Sequence, residues 1–176
     1  MKEFSKLSII NKALVILTSV LLIYGYLCRA IGLYFFWESK PIGWELLFIT
    51  IISLLIIRVR TKKIINRKTL SEKILIGLIV FVLSIQCVII IITPQSDAYK
   101  AAKQFILTDK SISSKIGDVY DITILPLGQI KTTSNSSGET GIADLHLIVK
   151  GKLKFIDFEV QLIKPIDSNW TIIRTD

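Results

Sequence analysis

The residues of this chain with chemical potential fall into two groups. Cys28, Arg29, Glu45 and Cys87 sit inside or at the edge of long apolar runs, and Asp144, His146, Asp157 and Glu159 alternate with apolar residues near the C-terminus. Two thiols suit disulfide exchange or a soft metal. No Cys-x-x-Cys spacing is present, and the one histidine, His146, belongs to the other group. Cys28 and Cys87 are therefore read as small packing residues, both in the outer half of an apolar helix by residue counting. A charge within an apolar run needs a partner or water. At 1.5 Å per residue Arg29 lies about 12 Å below Trp37, and Glu45, a turn inside the next run, is its expected partner. The expectation is an Arg29 to Glu45 ion pair stapling the first hairpin, with Glu38 or snorkelling to the interface as alternatives.

In the second group, alternation puts His146, Asp157 and Glu159 on the polar face of neighbouring strands, with Asp144 beside them. Two carboxylates work as acid and base only when their surroundings separate their pKa values, and an exposed strand does not do that. His146 has no second histidine for a metal site. The sequence contains no phosphate-cradling glycine loop and no nucleophile elbow. No enzyme activity, cofactor or metal is expected. Asp144, His146, Asp157 and Glu159 are expected to form an exposed interaction face.

The first half of the chain decides where these groups sit. Ala13 to Trp37, Pro41 to Ile57 and Ile74 to Thr93 are apolar runs of about the 20 residues that match a hydrocarbon core of about 30 Å. The net charge of +8 belongs to this half, because from Gln95 onward ten basic and ten acidic residues cancel. Seven of the twelve basic residues before that point lie between Arg58 and Lys73. The positive-inside rule makes that segment a basic cytoplasmic loop, 58–73. The basic N-terminus is then also inside, and everything beyond Thr93 outside. Tyr34, Phe35, Phe36, Trp37 and Trp44 cluster at the implied outer interface, where amphipathic rings are favoured. A basic loop beside anionic lipid explains the charge without nucleic acid. The first run lacks a small-residue cleavage pattern and is read as a retained helix instead of a signal peptide. Gly25, Cys28, Arg29 and Gly32 share one face of it, and Gly77, Ser84 and Cys87 share one face of the third run, so both faces are expected to admit a close helix neighbour. The expected setting is a bacterial inner or plasma membrane, crossed three times.

Residues 1–94 thus form a three-helix transmembrane region and 95–176 an extracytoplasmic domain. In the domain, Ser96 or Asp97 caps a helix carrying Ala98, Ala101, Ala102, Phe105 and Ile106 on one stripe. Alternation then takes over. Tyr120, Ile122 and Ile124 point inward from a first strand, which Pro126 and Gly128 kink or bulge on its way to Ile130. Asn135-Ser136-Ser137-Gly138 turns the chain. Two more alternating strands, 143–150 and 156–162, follow, and Trp170 with Ile172 makes a short last one. The expected class is a membrane α-helical protein with a small α+β domain, one helix packed on an antiparallel meander of about four strands.

The helix with Ala98, Ala102, Phe105 and Ile106, the stretch from Ile112 to Gly117, Gly141-x-Ala143 opening a strand, Gly151 between strands and the closing Trp170-x-Ile172 together resemble the cytochrome oxidase assembly factor family. That family is similar in fold to the intermembrane-space domain of a mitochondrial presequence-translocase subunit. The resemblance covers residues 94–176 only and rests on packing and turn positions. It implies a non-enzymatic, membrane-anchored interaction module that binds membrane protein partners, such as oxidase subunits, during assembly. It carries over no catalytic residue. Three helices stand here where the mitochondrial members have one. The expectation from a different class is a sensor or transport accessory whose outer domain binds a ligand.

Overall fold

The computed structural model describes residues 8–136, 138–166 and 168–175. They form two compact units, residues 1–85 and 86–176. Three helices, α1 (Ile9–Ile31), α2 (Ser39–Ile64) and α3 (Leu70–Ile92), are long and apolar enough to cross a membrane.

Their ends follow from local chemistry. Ser8 caps α1, its Oγ accepting from Asn11 N at 3.4 Å and from Asn11 Nδ2 at 2.7 Å. Gly32 ends it at φ 68°, a left-handed conformation that suits glycine. The first helix therefore stops six residues short of the expected Trp37, and 32–38 form a connector. At the other end of the hairpin, α2 runs to Ile64, so Arg58, Arg60, Lys62 and Lys63 are helical. The expected 58–73 loop reduces to a short link, 65–69. Lysine and arginine propagate helices well, and Lys62 and Lys63 complement the C-terminal dipole.

In the second unit, α3 ends in a short 3-10 turn, Thr93–Gln95, containing Pro94. The helices α4 (Asp97–Thr108) and α5 (Lys110–Ile116) follow. Ser96 caps α4 through Tyr99 N at 3.2 Å. Asp109 caps α5, accepting from Ser111 N at 2.7 Å and Ile112 N at 3.0 Å. The expected helix is α4, and α5, which Asp109 caps, is an additional short one.

The sheet is an antiparallel meander in sequence order: β1 (Val119–Asn135), β2 (Gly138–Gly151), β3 (Phe155–Lys164) and β4 (Thr171–Thr175). Both helices supply one wall of the core, with Ala98, Ala102, Ile106, Ile112 and Ile116 packed on Ala143, Leu145, Leu147, Val149, Val160 and Leu162. Tyr120, expected inside, is 61% exposed. A register shift between Val119 and Asp121 turns it out and puts Val119 against the core instead. A larger shift between Ile124 and Gly128 is the bulge expected at Pro126 and Gly128. The turn that includes Ser137 and the loop that includes Asp167 each contain a residue outside those described.

Candidate functional site

In the first unit, α1 and α2 form an antiparallel hairpin joined by small and polar residues. Thr18 and Thr50 hydroxyls lie 2.9 Å apart, and Ser53 Oγ donates to Asn11 Oδ1 at 2.5 Å. Thr50 Oγ1 also reaches Leu46 O at 2.7 Å. Gly25 lies against the backbone of Lys40, and Gly43 against Leu22. Asn11, Thr18, Ser39 and Thr50 are all buried. Small residues let backbones approach, and the Asn11, Thr18, Thr50 and Ser53 groups satisfy one another, while Ser39 Oγ has no partner among the described residues.

That register explains why the expected Arg29 to Glu45 pair does not form. Gly25 stands beside Lys40, so Arg29, one turn above Gly25, is level with the connector. Glu45 lies about nine residues, or roughly 13 Å, further down the seam. The Arg29 guanidinium instead donates from Nη1 to Gly25 O and to Trp37 O, both at 3.0 Å. It also lies over the Trp37 ring, 4.7 Å from its centroid. Arg29 fastens the 32–38 connector to the top of α1. Trp37 Nε1 to Leu33 O at 2.9 Å and Tyr24 Oη to Phe35 O at 2.8 Å secure the same connector. Glu45 makes no hydrogen bond or ion pair among the described residues.

The lower end carries a second ion cluster. Lys62 Nζ and Arg58 Nε both face Glu72 Oε1, the latter at 3.4 Å, and Ser71 Oγ holds Glu72 Oε2 at 3.0 Å. Glu72 is buried. It ties the end of α2 to the start of α3. Cys28 is buried and Cys87 exposed, and both are free thiols. A side chain at Gly77 would meet nothing within 4 Å, so the close approach expected there is absent among the described residues.

In the second unit the structure places all four expected residues on the sheet face opposite the helices. His146 pairs with Glu159 across β2 and β3, Ile148 with Asp157, and Asp144 with Gln161. His146 sits between two carboxylates, Nε2 being 3.8 Å from Asp144 Oδ1 and Nδ1 3.7 Å from Glu159 Oε2. These separations are too long for hydrogen bonds. Asp144 Oδ1 is buried and accepts no hydrogen bond among the described residues. Donor atoms of Asp144, His146 and Glu159 lie within 4.8 Å of one another. Two donors on a tetrahedral zinc ion stand about 3.4 Å apart, given bonds of about 2.0 to 2.2 Å. The cluster would have to contract by roughly an ångström to hold such an ion. Protonated His146 would instead bridge the two carboxylates electrostatically. Leu125, Asp157 and Phe158 border a hollow of about 220 Å³ beside His146 and Glu159.

Further along this face, Ile142 and Ile163 are cross-strand partners, 57% and 37% exposed. With Ile166 they floor a groove of about 680 Å³ whose rim carries Lys131 and Lys164. Lys164 Nζ bonds Glu139 Oε2 at 2.7 Å. At the far end, Lys150 Nζ bonds Asp121 Oδ2 at 2.8 Å and holds that carboxyl below its ordinary range. The groove escaped sequence reasoning, since Ile142 and Ile163 lie just outside or at the end of the expected strands and read as ordinary boundary residues.

No family model, curated protein or solved structure matches the chain.

Proposed function

We propose that the chain is a non-enzymatic, membrane-anchored interaction module whose working surface is the open face of its sheet. The observation that carries this reading is the exposed Ile142 and Ile163 pair on the sheet face that also carries Asp144, His146, Asp157 and Glu159. The helices α4 and α5 cover one side of the sheet. The other side combines a lysine-rimmed apolar groove with the Asp144, His146, Asp157 and Glu159 stretch, a mix of apolar centre and charged surround suited to a protein partner. The basic residues from Arg58 to Lys73 favour an orientation with the N-terminus in the cytoplasm and the sheet domain outside. The resemblance of residues 94–176 to the cytochrome oxidase assembly factor family makes an assembly or stabilising role toward a respiratory oxidase, or another membrane complex, the specific form of the proposal.

The test is a photo-crosslinking amino acid placed at Ile142 in the full chain in its native membrane, with Ser134 as the control position. Gentle-detergent purification, mass spectrometry and a haem absorption spectrum then identify the adduct. Crosslinks from position 142 alone to oxidase subunits or other respiratory-complex proteins support the role. A chain that purifies alone, with no adduct at 142, refutes it.

One observation favours a ligand-binding reading, namely the convergence of Asp144, His146 and Glu159 donor atoms. A rise in melting temperature with zinc or manganese that Glu159→Gln abolishes would move the assignment to a sensor.

A further inference from the structure

The bulge in β1 stands against the last turns of α3, and the two features together say more than either does alone. Pairing with β2 runs to Ile124 opposite Leu147 and resumes at Gly128 opposite Leu145. Leu125, Pro126 and Leu127 therefore face the single residue His146 and drop out of the ladder. The bulge is built in, because Gly128 adopts φ 101° and a side chain there would collide with Asp144 O. Leu127 at its tip is 55% exposed.

An exposed leucine is ordinary on a surface facing water. Leu127, however, borders a gap of about 280 Å³ whose opposite wall is Val88, Ile89 and Ile92 of α3. Val88 with Ile92, and Ile89 with Thr93, are each four residues apart and so lie on one helix face. The helix carries no charge after Lys73 and is apolar from Cys87 through Ile92, the first charged residue beyond Lys73 being Asp97. Val88 lies about 7 Å along the axis inside Thr93. If α3 spans a bilayer, this face is in the outer leaflet, and whatever shares a gap with it is there too. The bulge has the composition for that position. It offers the exposed Leu127, with Leu125 half-buried behind it, and its central proline has no N–H to leave unsatisfied in lipid. Thr93, Ser96 and Gln129 border the same gap and supply polar groups for the headgroup level.

We propose that Leu125-Pro126-Leu127 is a wedge seated in the outer leaflet, and that a phospholipid acyl chain fills the gap between Leu127 and Val88. The proposal rests on the membrane-spanning reading of α3. It makes the sheet domain a membrane-seated body instead of one tethered by Pro94 to Ser96 alone, with its bulged edge held at the bilayer.

The test uses the full chain with Cys28→Ala and Cys87→Ala, reconstituted in phosphatidylcholine vesicles. A nitroxide is attached at Val88→Cys, Leu127→Cys or Ser134→Cys, and relaxation by oxygen is compared with relaxation by a water-soluble nickel chelate. The expected result is an oxygen-to-nickel ratio several-fold higher at 88 and 127 than at 134. A ratio at 127 equal to that at 134, with 88 still high, overturns the wedge and leaves the spanning helix intact. A low ratio at 88 as well overturns the spanning reading and the wedge with it. Protection at 127 from both reagents means that protein fills the gap, which overturns the lipid assignment.

Discussion

Replacing Gly25 with valine tests whether backbone contact or hydrogen bonding dominates the α1 and α2 hairpin. A Cβ at Gly25 would lie 2.6 Å from Lys40 N and 2.7 Å from Lys40 Cα. Both are backbone atoms, so no side chain can swing aside. Non-bonded carbons rest about 3.5 to 4.0 Å apart, and the helices would have to part by roughly 1 Å. A separation of that size carried down the hairpin takes the 2.9 Å contact between Thr18 and Thr50 beyond bonding range. Overpacking costs about 1 to 3 kcal/mol, and a lost intramembrane hydrogen bond about 0.6 kcal/mol on average. Gly25→Val should thus lose about 2 to 4 kcal/mol, against roughly 0.6 kcal/mol for Thr50→Val. The assay is reversible unfolding in mixed micelles of increasing SDS fraction, read from tryptophan fluorescence with the buried Trp37 as a reporter in the connector. Gly77→Val is the control, because nothing stands within 4 Å of that position. If Gly25→Val is no worse than Thr50→Val or Gly77→Val, the close-packed register is wrong.

The same unfolding assay should find Glu45→Gln within about 0.5 kcal/mol of the parent, while Arg29→Leu loses about 1 to 3 kcal/mol with its two carbonyl bonds and its place over Trp37. In the sheet domain, Leu147→Ala removes a side chain with no solvent exposure and should cost about 2 to 5 kcal/mol, seen as a lower melting temperature. Asp109→Ala should cost about 1 kcal/mol by uncapping α5, whereas Asp109→Asn should retain most of it. Ser111 and the Ile112 N–H hold the Asp109 carboxyl below its ordinary range, and Lys150 does the same for Asp121. A carboxyl whose folded pKa is depressed adds stability above its unfolded value of about 3.9, and that stability disappears as the pH falls through the folded value. Melting temperature should therefore fall below about pH 4, and Lys150→Met should flatten that fall by removing the Asp121 share.

The sheet domain was legible because its signals are local. Alternation through Leu145, Leu147 and Val149 names the buried face, and Ser96, Pro94 and Gly151 mark the boundaries. What escaped were one-residue events. The shift at Val119 turned Tyr120 outward, because a single slip moves a side chain to the other face. The short helix that Asp109 caps, Lys110–Ile116, is too brief to show a periodic stripe in the sequence.

In the apolar half the same reasoning found the helices and the close-packed face at Gly25 and Cys28, and missed the polar contacts along it. Hydrophobicity identifies a span, but every lipid-facing position is apolar too, so it does not say which face meets a neighbour. The informative residues are the few that are not apolar. Asn11, Thr18 and Gly25 recur at intervals of seven on α1, as do Gly43 and Thr50 on α2. Such a stripe is the seam of two helices crossing at a small angle. Arg29 drew attention because a charge is conspicuous, yet two carbonyls and an indole are among its partners, which a charge-pairing argument would not select. The position of Glu45 in turn depends on the register that Gly25 and Lys40 set. A polar residue in an apolar helix is thus better read first as a marker of helix register, and only then, once the register is known, as a candidate ion pair or site.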